Sequence, residues 1–136
     1  MADRSLQLLG IARKAGLLAV GGEAVDAATR SRKARAVFSA SDASDGAKRR
    51  TREDAQGCGA VYTVLPYTKF ELGNVTGRGS PGTLAMLDAG LAARFLQELA
   101  GNAPGGYKEI ADMLMDRERT RNGIKKNTTG KRRTAI

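Results

Sequence analysis

The sequence predicts an α/β fold: a three-layer α/β/α sandwich of about one hundred residues, with helices on both faces of a central sheet and a basic C-terminal tail behind it. Three observations predict it. Apolar residues alternate along the chain between helical spacing and short extended runs. Glycine or proline stands at most of the changes of period, at Gly16, Gly21-Gly22, Pro66 and the run from Gly77 to Gly82. Finally, 41% of the residues are hydrophobic but only 4% are aromatic, with no Trp. The core must therefore be filled by Leu, Ile, Val, Ala and Met, which makes the isolated domain marginally stable.

Leu8, Ile11, Ala12 and Ala15 recur at i, i+3, i+4 and i+7, which places a helix over 5–15, and Gly16 follows its last turn as a stop. Leu17 to Val20 is a brief extended run. Gly21-Gly22 then opens a second helix over 23–32, with Glu23 where a carboxylate suits the helix dipole and Ala24, Val25 and Ala28 as a narrow apolar face. Ala36-Val37-Phe38-Ser39-Ala40 reads as a strand. Ser41-Asp42-Ala43-Ser44 supplies N-cap oxygens for a helix over 45–56 that carries Lys48, Arg49, Arg50 and Arg52; capping is also the reading of Asp42 and Asp45, rather than a catalytic carboxylate pair.

Val61-Tyr62-Thr63-Val64-Leu65 is apolar on both faces and reads as a buried strand stopped by Pro66. A short helix over 69–75 leads into Gly77-Arg78-Gly79-Ser80-Pro81-Gly82, whose glycines let the backbone approach another surface closely. Thr83-Leu84-Ala85-Met86-Leu87 is the fourth strand, and Ala92, Phe95, Leu96 and Leu99 return to helical spacing. Residues 1–103 then form one domain. Residues 104–116 read as a linker with one short helix marked by Tyr107, Ile110, Met113 and Leu114, and 117–136 as a basic tail, disordered when free.

The chain carries 23 Lys and Arg against 14 Asp and Glu, a formal net charge of +9, and more than half of the excess lies beyond residue 103. Such a balance draws the protein toward phosphate. A helix that begins on glycines offers unpaired N–H groups and a positive dipole end to an anion, and Arg30, Arg32, Lys33 and Arg35 follow within the next stretch of sequence. The expected partner is a nucleic-acid backbone. No segment approaches the roughly 20 apolar residues of a membrane span, and the first residues do not form a signal-peptide core, so a cytoplasmic location is expected.

One cysteine, Cys58, and no histidine leave no disulfide framework, no zinc finger and few nucleophile–base pairs. Neither phosphate-loop nor dinucleotide glycine signatures occur at Gly21-Gly22. A non-enzymatic protein without cofactor, metal or small-molecule substrate is expected, as a monomer. A second reading is a protein-interaction or ribosome-associated module whose basic tail docks on an acidic partner, with only non-specific affinity for RNA.

Leu8-Leu9-Gly10-Ile11-Ala12-Arg13-Lys14-Ala15-Gly16, Gly21-Gly22-Glu23, Lys33-Ala34-Arg35-Ala36-Val37-Phe38, Asp42-Ala43-Ser44 and Thr68-Lys69-Phe70-Glu71-Leu72-Gly73 together resemble the short bacterial YlxQ- and YbxF-type members of the ribosomal L-seven-Ae, L-thirty-e, S-twelve-e and Gadd45 superfamily. The resemblance covers about residues 4–100. It implies a sandwich on a mixed four-stranded sheet that binds structured RNA, ribosomal RNA or kink-turns, through two elements. Carried onto this chain these are Gly21, Gly22, Glu23, Ala24 and Ala27 at the start of the second helix, and Gly79, Ser80, Pro81, Gly82, Thr83 and Leu84 before and into the last strand. The family pattern has an Asn-Glu pair that reads guanine and a Lys one turn later; here Glu23-Ala24 and Ala27 stand at those positions. Glu23 keeps an acceptor for guanine N–H groups, and Arg13, Lys14, Arg30, Lys33 and Arg35 are expected to supply the phosphate contacts.

Overall fold

The computed structural model describes the backbone of residues 3–134 and the side chains of residues 3–121. In chain order the elements are α1 (Arg4–Lys14), β1 (Leu18–Val20), α2 (Gly22–Arg30), β2 (Ala36–Ser39), α3 (Asp45–Cys58), β3 (Val61–Val64), α4 (Lys69–Thr76), β4 (Thr83–Met86), α5 (Ala89–Asn102) and α6 (Tyr107–Thr134). The strands form one mixed sheet in the order β1-β4-β2-β3, with β4 antiparallel to both neighbours and β2 parallel to β3.

Strand alternation divides the core into two layers. Leu18, Val20, Ala36, Phe38, Val61, Leu84 and Met86 pack with α1, α4, α5 and α6, while Ala19, Val37, Tyr62 and Ala85 pack with Val25 and Ala28 of α2 and Ala55 and Cys58 of α3. The first layer is the thicker one and holds Phe38 against Phe95, ring centroids 5.2 Å apart. The second is built of small side chains, which suits the narrow apolar face of α2. This is the α/β/α sandwich that the sequence predicts.

Three expectations are corrected. Ile11 is 55% exposed, and the stripe that α1 buries is Ser5, Leu8, Leu9 and Ala12, one step round the helix from the predicted face. Strand β3 is an edge strand, with Tyr62, Thr63 and Val64 only half-buried. Ser44 alone caps α3, accepting from the Ala47 N–H, whereas Asp42 accepts the Lys69 N–H at 2.9 Å and fixes the start of α4.

The largest correction concerns the C-terminal third. Gly105 and Gly106 adopt φ of 145° and 75° and turn the chain sharply, so that Tyr107, Ala111 and Leu114 enter the main core as part of α6. Tyr107 donates to the Val64 carbonyl at 3.1 Å and Arg117 to the Gly59 carbonyl at 3.1 Å, laying α6 along the β3 edge. Residues 117–121, expected to be disordered, continue this helix, and Glu118 lies 3.6 Å from Arg35 and 3.3 Å from Arg121. The domain therefore does not end at residue 103. The side chains of 122–134 and all of 135–136, the rest of the expected tail, lie outside the described residues.

Helix α2 ends in a left-handed turn made by a non-glycine residue: Arg32 has φ 60°, and the Lys33 N–H closes the turn on the Ala28 carbonyl at 2.9 Å. A side chain in this conformation costs on the order of 1 kcal/mol or more. Arg32→Gly is therefore expected to raise stability by about 0.5–1 kcal/mol, after the larger backbone entropy of glycine in the unfolded chain is subtracted. Denaturant midpoints of the two proteins measure it.

Candidate nucleic-acid interface

The end of β1 and the beginning of β4 meet at one end of the sheet, where Val20 pairs with Leu84 and the Gly21 N–H donates to the Thr83 carbonyl at 3.0 Å. Gly21 caps α2 with φ 92° and no side chain. The N–H groups of Gly22, Glu23 and Ala24 consequently have no intrahelical acceptor and no side-chain cap, and they carry the positive end of the helix dipole. Facing them is the loop after α4. Val20, Gly21, Gly22, Arg78, Gly79, Ser80, Pro81 and Gly82 line an open cleft of about 380 Å3.

The loop is held in place from both sides. The Gly82 carbonyl accepts from the Ala40 N–H at 2.9 Å, and the Thr83 hydroxyl donates to the Phe38 carbonyl at 3.1 Å. On its other side the loop doubles back along α4, whose start is fixed by a capping box between Thr68 and Glu71. A Cβ on Gly73 would lie 1.8 Å from the Gly79 carbonyl oxygen and 2.6 Å from that of Arg78, so the backbones touch there only because position 73 has no side chain. Further along, a Cβ on Gly82 would lie 3.7 Å from the stem of Lys69.

The two predicted elements thus converge although they are far apart in sequence. Gly22, Glu23, Gly79 and Ser80 are exposed, Gly21, Ala24, Gly82 and Thr83 half-buried, and Ala27 exposed one turn along α2. Leu84 is the exception: it is fully buried in the core and offers no side chain to a ligand. Pro81 lines the cleft but is itself largely buried.

The predicted cations do not line this cleft. Arg30 ends α2, and Arg35 precedes β2, its N–H bonded to the Met86 carbonyl at 2.8 Å, so Arg30, Lys33 and Arg35 lie at the opposite end of the sheet from Gly21. The Arg35 guanidinium donates to the Arg32 carbonyl at 3.0 Å and faces Glu118, holding α6. Arg13 lies beside Gly77, at the end of α4 remote from Lys69, 3.9 Å from where a Cβ would stand, and Lys14 follows it. Neither lines the cleft.

Sequence reasoning passed over the cations that are close. Arg78 lines the cleft, Lys69 borders it, and Lys48 of α3 donates to the Ser41 carbonyl at 3.0 Å beyond the end of β2. The signal for the first was a lone arginine between two loop glycines. For the second it was a lysine directly after a helix cap. A second groove, between α2 and α3, carries Arg30 and Arg32 opposite Glu53 and Asp54. Desolvation and the neighbouring Asp26 push the Asp54 carboxyl above the ordinary carboxylate range.

No described helix is long and apolar enough to cross a membrane. No protein-family model and no curated protein matches the chain. Among solved structures it is similar to a protein of unknown function from Bacillus halodurans C, with 23% identity, a TM-score of 0.65, and coverage of 73% of this chain and 99% of that one. It is also similar to a 15.5kD RNA binding protein of Giardia lamblia, with 17% identity, a TM-score of 0.56, and coverage of 71% and 82%. The α/β sandwich on a mixed four-stranded sheet is thus a fold that this chain shares with both.

Proposed function

We propose that this chain is a non-enzymatic RNA-binding protein that holds structured RNA in the cleft between the α2 N-terminus and the loop after α4. The observation that carries the reading is the convergence of Gly21-Gly22 with Gly79 to Gly82 on one open surface that presents free backbone N–H groups and Arg78. Backbone donors at a helix start, with cations beside them, suit phosphate and the guanine edge better than any reaction. The similar fold of the Giardia lamblia 15.5kD RNA binding protein supports the same partner. So does the resemblance to the short bacterial members of the L-seven-Ae superfamily, which further suggests a ribosomal or kink-turn RNA and a role in translation; that the chain acts as a cytoplasmic monomer is part of the same proposal, on the sequence alone.

Mobility shifts with a kink-turn RNA, a plain duplex and a single strand, each at two salt concentrations, test the reading. Binding to the structured RNA is expected, and the double variant Lys69→Ala with Arg78→Ala should weaken it about tenfold or more and reduce the slope of log K against log salt by about one to two, since each lost phosphate contact removes roughly 0.7 to 0.9. Substituting Arg30 and Lys33 instead should change affinity less, because they lie at the other end of the sheet. No binding to any RNA at low salt overturns the reading. Equal affinity for all three RNAs would favour the alternative, a module docked through its basic C-terminal arm. Kink-turn recognition requires in addition that Glu23→Ala weaken only RNAs with sheared G·A pairs.

A further inference from the structure

Six aromatic residues serve the whole chain, and five of them are spoken for. Phe38 and Phe95 are fully buried, Tyr67 and Tyr107 nearly so, and Tyr62 packs on the α2–α3 layer with its hydroxyl donating to Ser39 at 2.8 Å. Phe70 alone faces solvent, 70% exposed. It does so on α4, the helix against which the loop of the cleft is seated. Its chain neighbour Lys69 has its stem against Gly82, and Phe70 precedes Gly73 by three residues, which puts it on the flank of α4 where the carbonyls of Arg78 and Gly79 press against the helix. The backbone under it is fixed by the Asp42 bond to Lys69 and by the Thr68–Glu71 capping box.

We propose that Phe70 is a stacking platform for an unpaired base of the RNA held in the cleft, an inference that rests on the RNA-binding reading and extends it. A flat ring on a rigid helix turn, standing proud of the surface beside Lys69, offers a π-face to a base while the adjacent ammonium meets that nucleotide's phosphate. The ring has no core role to lose, and a paired duplex, whose bases are stacked already, gains nothing from it. The interaction therefore selects RNA with a looped or bulged nucleotide next to the segment that enters the cleft.

The full chain and three substitutions test it: Phe70→Ala, Phe70→Leu and Phe70→Trp, against a hairpin with unpaired loop nucleotides and a blunt duplex. Phe70→Ala and Phe70→Leu should each lower affinity for the hairpin roughly tenfold, the magnitude of one lost base stack, and leave duplex binding and the melting temperature unchanged. Leucine keeps the apolar area without the π-face, so equal loss in both separates stacking from apolar contact. Because the chain has no Trp, Phe70→Trp supplies a single indole that can be excited apart from the three tyrosines. It should bind as the parent does, with its fluorescence quenched at saturating hairpin. Unchanged hairpin affinity in Phe70→Ala, or unquenched Phe70→Trp emission, overturns the platform and leaves the cleft reading intact. A parent chain that binds neither RNA overturns both.

Discussion

Replacing Gly73 by alanine should lower the melting temperature by about 10 °C and weaken RNA binding at least tenfold, the largest effect expected of any single methyl group in this protein. Helix propensity alone predicts the opposite sign, since alanine inside a helix is favoured over glycine by about 1 kcal/mol. Contact geometry decides against it. The new Cβ would stand 1.8 Å from the Gly79 carbonyl oxygen, 2.6 Å from the Arg78 carbonyl oxygen and 2.9 Å from the Gly79 carbonyl carbon. All three are backbone atoms of a loop pinned at Gly82 and Thr83, so the loop must move by roughly 1.5 Å or α4 must shift, at a cost of about 2–3 kcal/mol. Either movement opens the wall of the cleft. Gly101→Ala in α5 is the matched control, because it too is a helical glycine, lies outside the cleft lining, and a Cβ there meets nothing within 4 Å. Thermal melts and mobility shifts of the two variants check the pair; a Gly73→Ala protein as stable and as active as the parent would show that the loop is not seated on α4.

Cutting the chain after residue 103 should leave a protein that is unfolded or aggregated at 37 °C. The truncation removes Tyr107, Ala111 and Leu114 from the core and uncovers the β3 edge. Burying one large apolar side chain contributes about 1.5–3 kcal/mol, so the loss sums to roughly 5 kcal/mol, comparable with the whole stability of a small domain. An uncovered edge strand is also a template for pairing with other chains. Circular dichroism and gel filtration of residues 1–103 read the result, and Tyr107→Ala in the full chain should lower the melting temperature by about 10 °C. A cooperative melt of the truncated chain within a few degrees of the parent would restore the shorter domain.

Much of this architecture was legible in the sequence because each element carries its own period and punctuation. Gly16, Gly59 and Gly77 stop helices in left-handed turns, and Ser44 and Thr68 start them. What was lost depends on distance in space. Periodicity fixes the face of α1 only to within a step, and it put Ile11 where Leu9 belongs. A run that is apolar on both faces marks a strand but not its neighbours, and β3 owes its edge position to pairing with β2 alone and its cover to α6. The cations lie away from the cleft for the same reason. Arg30 is close to Gly22 in sequence, yet the nine-residue helix between them spans about 13 Å. Residues 104–106 look like a linker by composition, whereas their left-handed glycines make a corner that seats Tyr107.

In the order β1-β4-β2-β3 the last strand to be synthesised sits between the first two. Until it emerges, β1 has no partner, and only the parallel pair β2–β3, joined through α3, can assemble. Sheet closure therefore waits on a long-range contact, which makes it a late and comparatively slow event in folding. The same strand carries Gly79 to Gly82 up to Gly21 as it inserts. The cleft and the completed sheet thus depend on the same long-range contact, the seating of β4 beside β1.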